Sequence, residues 1–492
     1  MSKPASENTI KRISDTMGKN ITECFPVLLD TVELLSKIKS LIKETNNEDH
    51  INILHNQKNI LELRSSVLYA ILEISVALRA DFRSDIAIEK RINLKYLVFI
   101  IAEFYKSTFM PEGIRNLWKK VSEYLSSMNV DVINQEISKI NDSLRLYKEI
   151  YFNKDKDKRD IALHYDFNLD VLYNSVIEIS EEEETQRVCA FLAVIQPINN
   201  LITSYMSLVH IEELLQIPFK SYKSKEINYE FKTLKKRLYP VAGEKIREFA
   251  TRIDKNMKLY NIIDVLPDNI LSILGEDEID KIKEICNYNK LGIILHYLYL
   301  DLLTALRAYL SSDYFIEKQL NIIRINLIIH EGYKKIYIPI NKESKSLWDQ
   351  YIYSVLCCYG EKNIKAEAES VEFKLQDYKK DKTLVDDEMR HKYIHLRDHK
   401  KFILPALLDI LLGLNPRNEM NKARSFIQLL SQIIKLSYEA TNIKLEIEND
   451  VICQQGMKSF NQIKSKMQNL NMKEEDKHRM EETIGDIMNL FD

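Results

Sequence analysis

The sequence predicts an all-α fold, and three observations support this. The 492 residues include only 10 Gly and 10 Pro, far below average usage, whereas folds rich in tight turns need both residues. Apolar residues recur at spacings of three and four over long stretches, which is the pattern of amphipathic helices. The composition, 45% hydrophobic and 29% charged, is typical of a globular chain and excludes a disordered one.

Apolar periodicity predicts a matched series of helices in the two halves of the chain. In the first half the clearest helices are 67–79, 94–106, 132–151, 167–179 and 187–213. Their counterparts in the second half are 297–307, 322–333, 364–380, 401–412 and 421–449. The acidic run 181–184 is expected to begin a helix, because carboxylates favour that end. Breaks are expected at 111–113 and 414–416, where proline interrupts the pattern.

An internal repeat is the most informative feature of the chain. Ala-Leu-Arg-Ala at 77–80 recurs at 305–308, and Ile-Glu-Lys at 88–90 recurs at 316–318, both 228 positions later. Further matches, at offsets of 230 and 231, are Trp118 with Trp348, Leu144 with Leu375 and Tyr147 with Tyr378. A slowly drifting offset is what insertions in loops produce. The chain is therefore predicted to be a duplication.

The repeat divides the chain into a first helical domain, 1–221, a linker with a second helical domain, 222–449, and a polar helical tail, 450–492. The linker is expected to contain Pro218 and Pro240. Two copies of about 215 residues are too few for a solenoid. We therefore expect an internally duplicated helical bundle, with the copies in a pseudo-two-fold pair that imitates a homodimer.

The chemical pattern of interest is an arginine, a polar residue, three further residues and a histidine, and it occurs once in each copy. The residues are Arg159, Asp160 and His164 in the first copy and Arg390, His391 and His395 in the second. The two patterns lie 231 positions apart, which is the local offset of the repeat. Chance explains one such pattern far more easily than two at matched places.

At these residues the chain resembles the HEPN superfamily, whose catalytic signature is an arginine followed four to six residues later by histidine. The resemblance implies all-α domains that pair so that both motifs line one cleft, as in RNA-guided CRISPR RNases with two HEPN domains in one chain. It implies a metal-independent endoribonuclease that leaves 2′,3′-cyclic phosphate and 5′-hydroxyl ends. It also implies a toxin or effector of prokaryotic antiphage defence.

The residues themselves favour the same chemistry. Cleavage through the 2′-hydroxyl of RNA needs a base, an acid and a cation for the charge that develops on phosphorus. Because the ordinary pKa of histidine is near 6.5, His164 and His395 could serve as base and acid at neutral pH. Arg159 and Arg390 offer permanent charge in a fork that matches phosphate.

Two supporting residues are expected to make the half-sites differ. Asp160 and His164, like His391 and His395, are four residues apart and share a helix face. Asp160 could orient His164 and raise its pKa, whereas His391 has no charge that would do the same. The alternative is that the motif residues are a solvated surface pair or a structural salt bridge.

No cofactor and no metal are predicted. The six cysteines show no metal-ligand spacing, and no Gly-rich phosphate loop or serine-hydrolase elbow occurs. A formal net charge of −3 excludes an overall basic field, so RNA contact must be local. Charges are expected to interrupt every apolar run before the roughly 18 residues of a membrane span. We expect a cytoplasmic protein with an RNA substrate, no membrane partner, and a regulatory protein or ligand that restrains it.

Several other features have a structural interpretation. Arg324 and His330 fit the motif spacing but lie in an apolar run, so we interpret them as packing residues. The retained charges Glu73 and Arg79, and their counterparts Asp301 and Arg307, are interpreted as members of interhelical ion pairs, with a supporting role near the motif as the alternative. Trp118 and Trp348 are interpreted as core residues. The competing function is a non-catalytic helical scaffold or nucleotide- or RNA-binding protein, acting within one chain or as a homo-oligomer.

Overall fold

A computed structural model describes residues 7–110, 116–154, 172, 176, 179–209, 229–264, 276–339, 345–380, 397–398, 401–402 and 404–468. The first half contains helices α1 (Glu7–Glu44), α2 (Glu48–Arg83), α3 (Ala87–Phe109), α4 (Leu117–Ser127), α5 (Asp131–Ile150) and α6 (Glu181–Leu208). A short 3-10 helix, Phe152–Lys154, follows α5.

The second half contains α7 (Tyr229–Asp264), α8 (Glu276–Ser311), α9 (Phe315–Tyr337), a π-helical stretch (Trp348–Tyr353), α10 (Ser354–Tyr359), α11 (Lys362–Lys380), α12 (Leu404–Gly413) and α13 (Pro416–Gln468). A two-residue antiparallel pair, β1 (Arg397–Asp398) and β2 (Lys401–Phe402), precedes α12. The prediction of an all-α fold is confirmed.

Side-chain caps explain where several helices begin. Asn47 Oδ1 accepts hydrogen bonds from the backbone N–H groups of Asp49 (3.0 Å) and His50 (3.3 Å) at the start of α2. Ser180 Oγ accepts from Glu183 N (3.3 Å), which confirms that the acidic run begins a helix. Such caps satisfy N–H groups that have no partner inside the helix.

The described chain forms two compact units that alternate along the sequence. Unit 1 comprises 1–247, 301–331 and 383–424, and unit 2 comprises 248–300, 332–382 and 425–492. The predicted boundaries at 221 and 449 follow the repeat, whereas these units follow spatial contact. The whole segment 1–221 and three parts of 222–449, namely 222–247, 301–331 and 383–424, therefore share unit 1.

Unit 1 is built around α2. Between positions 60 and 81, every side chain of this helix except Glu73 is buried, as expected for a helix that is surrounded by others. Leu28 on α1, Phe104 on α3, Phe191 on α6 and Leu407 on α12 belong to the same hydrophobic core. The central helix carries the repeated Ala-Leu-Arg-Ala sequence.

Unit 2 has an aromatic core of its own. The rings of Phe249 and Tyr299 lie 4.5 Å apart, and those of Phe249 and His296 lie 5.1 Å apart. His296 Nδ1 lies 2.6 Å from the carbonyl oxygen of Gly292. Burial lowers the pKa of His296, and the Gly292 carbonyl acts against this shift.

Three expectations about elements need correction. Pro240 lies inside α7 and not in a linker between helices. Lys401, the expected start of a helix, lies in β2, and the helix begins at Leu404. Helix α13 continues without a break through position 449 to Gln468. The predicted helix 167–179 falls almost wholly outside the described residues.

Among the described residues, two helices are long and apolar enough to cross a membrane, Glu181–Leu208 and Cys286–Ser311. The expectation that charges interrupt every apolar run is therefore wrong, since 188–208 hold no Asp, Glu, Lys or Arg. The apolar window is 39% buried in the first helix and 89% buried in the second. A buried core helix passes the same test, so these helices are weak evidence for a membrane span.

Candidate functional site

The residues that the sequence predicts for the site lie outside the described part of the chain. They are Arg159, Asp160, His164, Arg390, His391 and His395. Their convergence, and the roles assigned to them, stay predictions. What the structure describes is the framework on either side: α5 and α11, which precede the two motifs, and the contacts that hold these helices.

In unit 1, Tyr105 holds the end of α5. Its hydroxyl donates a hydrogen bond to the carbonyl oxygen of Leu144 (3.1 Å). Its ring lies 5.5 Å from that of Tyr147 and 4.5 Å from that of Phe152, between ring centroids. Tyr147 also contacts Phe191 on α6, at 5.3 Å. These aromatic contacts fix the chain just before the first motif.

In unit 2, Tyr333 holds the end of α11 in the same way. Its hydroxyl donates to the carbonyl oxygen of Leu375 (2.9 Å), and its ring lies 6.1 Å from that of Tyr378. Tyr378 contacts Phe426, at 5.9 Å. Tyr333 follows Tyr105 by 228 positions, and Leu375 and Tyr378 follow their counterparts by 231. Both motifs are therefore preceded by a helix with matched anchoring.

The two tryptophans make a third matched contact. Trp118 Nε1 donates to Asn141 Oδ1 on α5 (2.7 Å), and Trp348 Nε1 donates to Glu372 Oε2 on α11 (2.6 Å). Their exposed fractions are 4% and 0%, which confirms the interpretation as core residues. The internal duplication stays a prediction, and these matched contacts support it.

Unit 1 also contains a buried charged cluster that the sequence only partly indicated, and we call it the Arg79 cluster. Arg79 donates to Glu317 Oε2 (2.9 Å) and Asp313 Oδ2 (3.0 Å). Arg83 donates to the same two carboxylates, with Glu317 Oε1 at 3.2 Å. Glu317 additionally accepts the backbone N–H of Asp313 (2.8 Å). Two arginines of α2 thus hold two carboxylates at the start of α9.

A second cluster also joins an arginine to a glutamate and an aspartate, and we call it the Arg307 cluster. Here the arginine comes from the second half of the chain and the carboxylates come from the first half. Arg307 on α8 donates to Glu89 and to Asp85 Oδ1 (2.9 Å). Ser84 Oγ also donates to Glu89, and Arg247 donates to Asp85 (3.2 Å). Arg307, Asp313 and Glu317 follow Arg79, Asp85 and Glu89 by 228 positions each. Such reciprocal contacts are the property of an isologous interface.

Two glycines make close approach to these arginines possible. A Cβ atom at Gly18 would lie 3.0 Å from Tyr314 Oη and 3.4 Å from Arg79 Cζ. A Cβ atom at Gly243 would lie 3.3 Å from Arg307 Cζ. Helices α1 and α7 therefore approach the two guanidinium groups closely, and a larger residue at Gly18 or Gly243 would require the neighbouring side chains to shift.

Arg324 and His330, which fit the motif spacing but are interpreted as packing residues, are 2% and 4% exposed. Arg324 donates to Asn93 Oδ1 (2.7 Å), and its Cζ lies 4.4 Å from the ring centroid of Tyr96. Tyr96 is the counterpart of Arg324 at the offset of 228. Two equivalent positions that touch each other lie at the axis of a two-fold arrangement. This supports the interpretation of Arg324 as a packing residue.

The carboxylates of the two clusters divide by burial. Burial raises the pKa of Glu317 and of Glu89 above the ordinary value, although arginines act in the opposite direction. The hydrogen bond from Arg307 lowers the pKa of Asp85. Burial also acts to raise the pKa of Asp313, but Arg83 and Arg79 outweigh it, and the pKa is lowered. The exposed aspartates are therefore the more firmly ionised partners.

The acids six residues before Arg79 and Arg307 are Glu73 and Asp301. Asp301 Oδ2 accepts a hydrogen bond from Lys95 Nζ on α3 (3.2 Å), so its assignment to an interhelical ion pair is confirmed. Glu73 makes no ion pair with a described residue, and burial raises its pKa to about 8. Sequence reasoning missed Asp85, Asp313, Glu89 and Glu317, although they recur at the same offset as the arginines.

The described clusters are suited to holding helices together and not to catalysis. Their charges are paired, and Arg79, Arg307, Glu89 and Glu317 are almost fully buried. Across the ranges that the structure describes, no group of three or more His, Cys, Asp or Glu could hold a metal ion. A substrate would find no free nucleophile or base at these clusters.

The fold and these contacts define an all-α protein whose chain carries two chemically matched sets of helices. Comparison of the chain with protein-family models, with curated proteins and with solved structures finds no match. Any function of the protein therefore has to be inferred from its own residues.

Proposed function

We propose that the protein is a metal-independent endoribonuclease of HEPN type with one composite site. Arg159 and Arg390 bind the scissile phosphate, and His164 and His395 serve as base and acid. The 2′-oxygen attacks phosphorus, the bond to the 5′-oxygen breaks, and the departing oxygen takes a proton from the acid. The products are a 2′,3′-cyclic phosphate and a 5′-hydroxyl.

The observation that carries the proposal is the matched framework around two matched motifs. The helices that precede the motifs are anchored by the same tyrosine contacts, to Leu144 in one copy and to Leu375 in the other. The reciprocal Arg79 and Arg307 clusters are the kind of contact through which two equivalent domains pair. Paired domains with one motif each supply the two histidines that acid–base cleavage of RNA requires.

The proposal places the protein in the cytoplasm as a toxin or effector of antiphage defence. An active ribonuclease there must be restrained, so we propose a regulatory partner protein or ligand. The 3-10 helix Phe152–Lys154, which precedes the first motif, is the described part of the chain closest in sequence to it.

The test is cleavage of mixed-sequence RNA by the purified full chain in excess EDTA. We expect the wild type to cut and the double variant His164→Ala/His395→Ala to be inactive, by at least about 10³-fold, since removing an acid and a base costs at least that much. Mapping of the ends should detect cyclic phosphate. The matched control is His50→Ala, an exposed histidine at the start of α2, which should cut as the wild type does.

Cutting that persists in the double variant, or that stops on addition of EDTA, would contradict the proposal. The second candidate function is a helical scaffold, and the pairing of the buried charges in both clusters favours it, because such contacts serve association alone. A wild type that leaves RNA intact, alone and with cell extract as a source of activators, would support the scaffold.

A further inference from the structure

The first turns of α7 carry an unneutralised basic surface that neither motif uses. Four cations occur within six residues, Lys232, Lys235, Lys236 and Arg237, with no acid among them. The preceding sequence continues this bias: positions 220–237 contain seven Lys or Arg and two Glu. In a chain with a net charge of −3, such a local excess is informative.

Contacts on one face of α7 determine which cations point outward. Phe231 lies against Tyr309, at 5.4 Å between ring centroids, and Tyr239 lies under Arg307, at 4.0 Å. Lys235, four residues from each, is half-buried on the same face. Lys232, Lys236 and Arg237 are exposed, because they lie to the sides of this face and opposite to it.

Within the described ranges, no carboxylate forms an ion pair with the outward cations. The ion pairs that α7 makes with described residues use Arg247 and Arg252, farther along the helix. Lys232, Lys236 and Arg237 make none with the carboxylates that the structure describes. Holding several like charges together without partners is unfavourable for the isolated protein, and a bound anion would offset that cost.

The positive charge of Lys235 affects the pKa values of two neighbouring groups, Lys318 and Asp313. Burial lowers the pKa of Lys318 to about 8, and Lys235 contributes to the shift. Lys235 also contributes to the lowered pKa of Asp313. Lys235, which lies between the outward cations in the sequence, therefore acts on the charged groups of α9 and on Asp313 just before it.

We propose that Lys232, Lys236 and Arg237 form a binding surface for the phosphate backbone of single-stranded RNA, outside the cleavage site. This inference rests on the proposed function, since RNA is the substrate class of that site. Lys232 and Lys236 are four residues apart and lie about 5–6 Å from one another between Cβ atoms on one helix side, so they contact successive parts of a polyanion. Such contacts add affinity without base preference.

The apolar residues nearby favour RNA over a lipid surface. Leu234 and Leu238 are each 38% exposed, so most of each side chain is covered. A helix that lies on a membrane directs its apolar face outward into the lipid. The exposed positions of this segment also include Lys232, Lys236 and Arg237, so no continuous apolar face points outward.

The experiment measures binding of a fluorescent 20-nucleotide RNA, fully 2′-O-methylated so that it resists cleavage, by anisotropy. The variant is Lys232→Gln/Lys236→Gln/Arg237→Gln in the full chain. We expect its affinity at 0.1 M salt to fall by about 10- to 100-fold, and the slope of log affinity against log salt to decrease by about 2, from about 0.7 per phosphate contact. Glutamine is a good helix former, and circular dichroism checks the fold.

The matched control is Lys106→Gln/Lys119→Gln/Lys120→Gln, which removes the same charge from exposed positions of α3 and α4. It should keep both the affinity and the slope. Equal losses in the two variants, or no binding by the wild type, would overturn the proposal. So would binding to vesicles of phosphatidylcholine and phosphatidylserine (7:3) that depends on the three α7 residues in the absence of RNA binding.

The same material separates this proposal from the nuclease. His164→Ala/His395→Ala should bind the methylated RNA as the wild type does, because the surface is intact. If that variant binds RNA but still cuts unmodified RNA, the nuclease proposal fails and the surface stands. If the α7 variant binds normally while the histidine variant is inactive, the surface fails and the nuclease stands.

Discussion

The Arg79 cluster and the Arg307 cluster have the same design but differ in how many cations hold the buried glutamate. Glu317 contacts both Arg79 and Arg83 and also accepts a backbone N–H. Glu89 contacts Arg307 and the hydroxyl of Ser84. The difference arises at one position, because the counterpart of Arg83 at the offset of 228 is Ser311.

This difference shows how two matched contacts can diverge while the pairing is kept. In the Arg79 cluster two guanidinium groups contact Glu317, so either one can still neutralise its charge when the other is removed. In the Arg307 cluster the additional cation, Arg247, contacts the exposed Asp85 and not Glu89. The buried Glu89 is therefore in direct contact with one arginine, Arg307, while Arg324 acts on its charge from farther away. The two clusters should respond differently to the loss of the contacting arginine.

The largest effect is expected for Arg307→Ala. Removing the guanidinium leaves Glu89, which is 3% exposed, as a buried charge with no cation in contact, and breaking a buried pair in this way costs about 3–5 kcal/mol. The measurement is the free energy of unfolding in urea. Arg145→Ala is the control, since its exposed pair with Asp142 is worth at most about 1 kcal/mol. A loss below about 1 kcal/mol for Arg307→Ala would show that Glu89 does not depend on it.

A smaller effect is expected for Arg79→Ala. Glu317 keeps its contact with Arg83 at 3.2 Å, so the loss should be about 1–3 kcal/mol, the range for a hydrogen bond to a charged group. The double variant Arg79→Ala/Arg83→Ala should then lose more than the sum of the single variants. Additive losses in this cycle would contradict the redundancy that distinguishes the clusters.

The effect expected for Glu73→Gln depends on pH, and it is smallest at the acidic end of the range. The pKa of Glu73 is raised to about 8 in the folded chain, so the folded state binds its proton more tightly than the unfolded state does. Stability from this group is present below the unfolded pKa and is lost as the pH rises toward 8. Glu73→Gln should therefore gain stability relative to the wild type between pH 5 and 8, by up to about 1.4 kcal/mol per pH unit.

The control for this series is Glu136→Gln, a partly exposed residue on α5 that pairs with Lys139. Its stability relative to the wild type should not change with pH over that range. A Glu73 variant with the same flat profile would mean that Glu73 is ionised throughout.

Much of the fold could be predicted from the sequence, because apolar spacing and the scarcity of glycine and proline are direct records of helix packing. The capped start of α6 and the break before Pro416 were predictable for the same reason. The two compact units were not, since the repeat follows the order of the chain and units follow spatial contact. The prediction that Pro240 lies in a linker is wrong, because this proline lies at an exposed position inside α7.

The charged clusters were only half predictable. The recurrence of Arg79 as Arg307 was visible, but the carboxylates that pair with these arginines could not be identified from the sequence. Arg79 pairs with Glu317, which lies in the other half of the predicted repeat. No pattern within one half indicates this partner. The motif residues stay predictions from the sequence, based on their matched positions and their chemistry.

The measurement that tests the central claim most directly compares single and double histidine variants in RNA cleavage under EDTA. One composite site requires both imidazoles, so His164→Ala and His395→Ala should each abolish cutting as completely as the double variant does. Single variants that each keep about half of the wild-type rate would instead indicate two independent sites and contradict the paired arrangement.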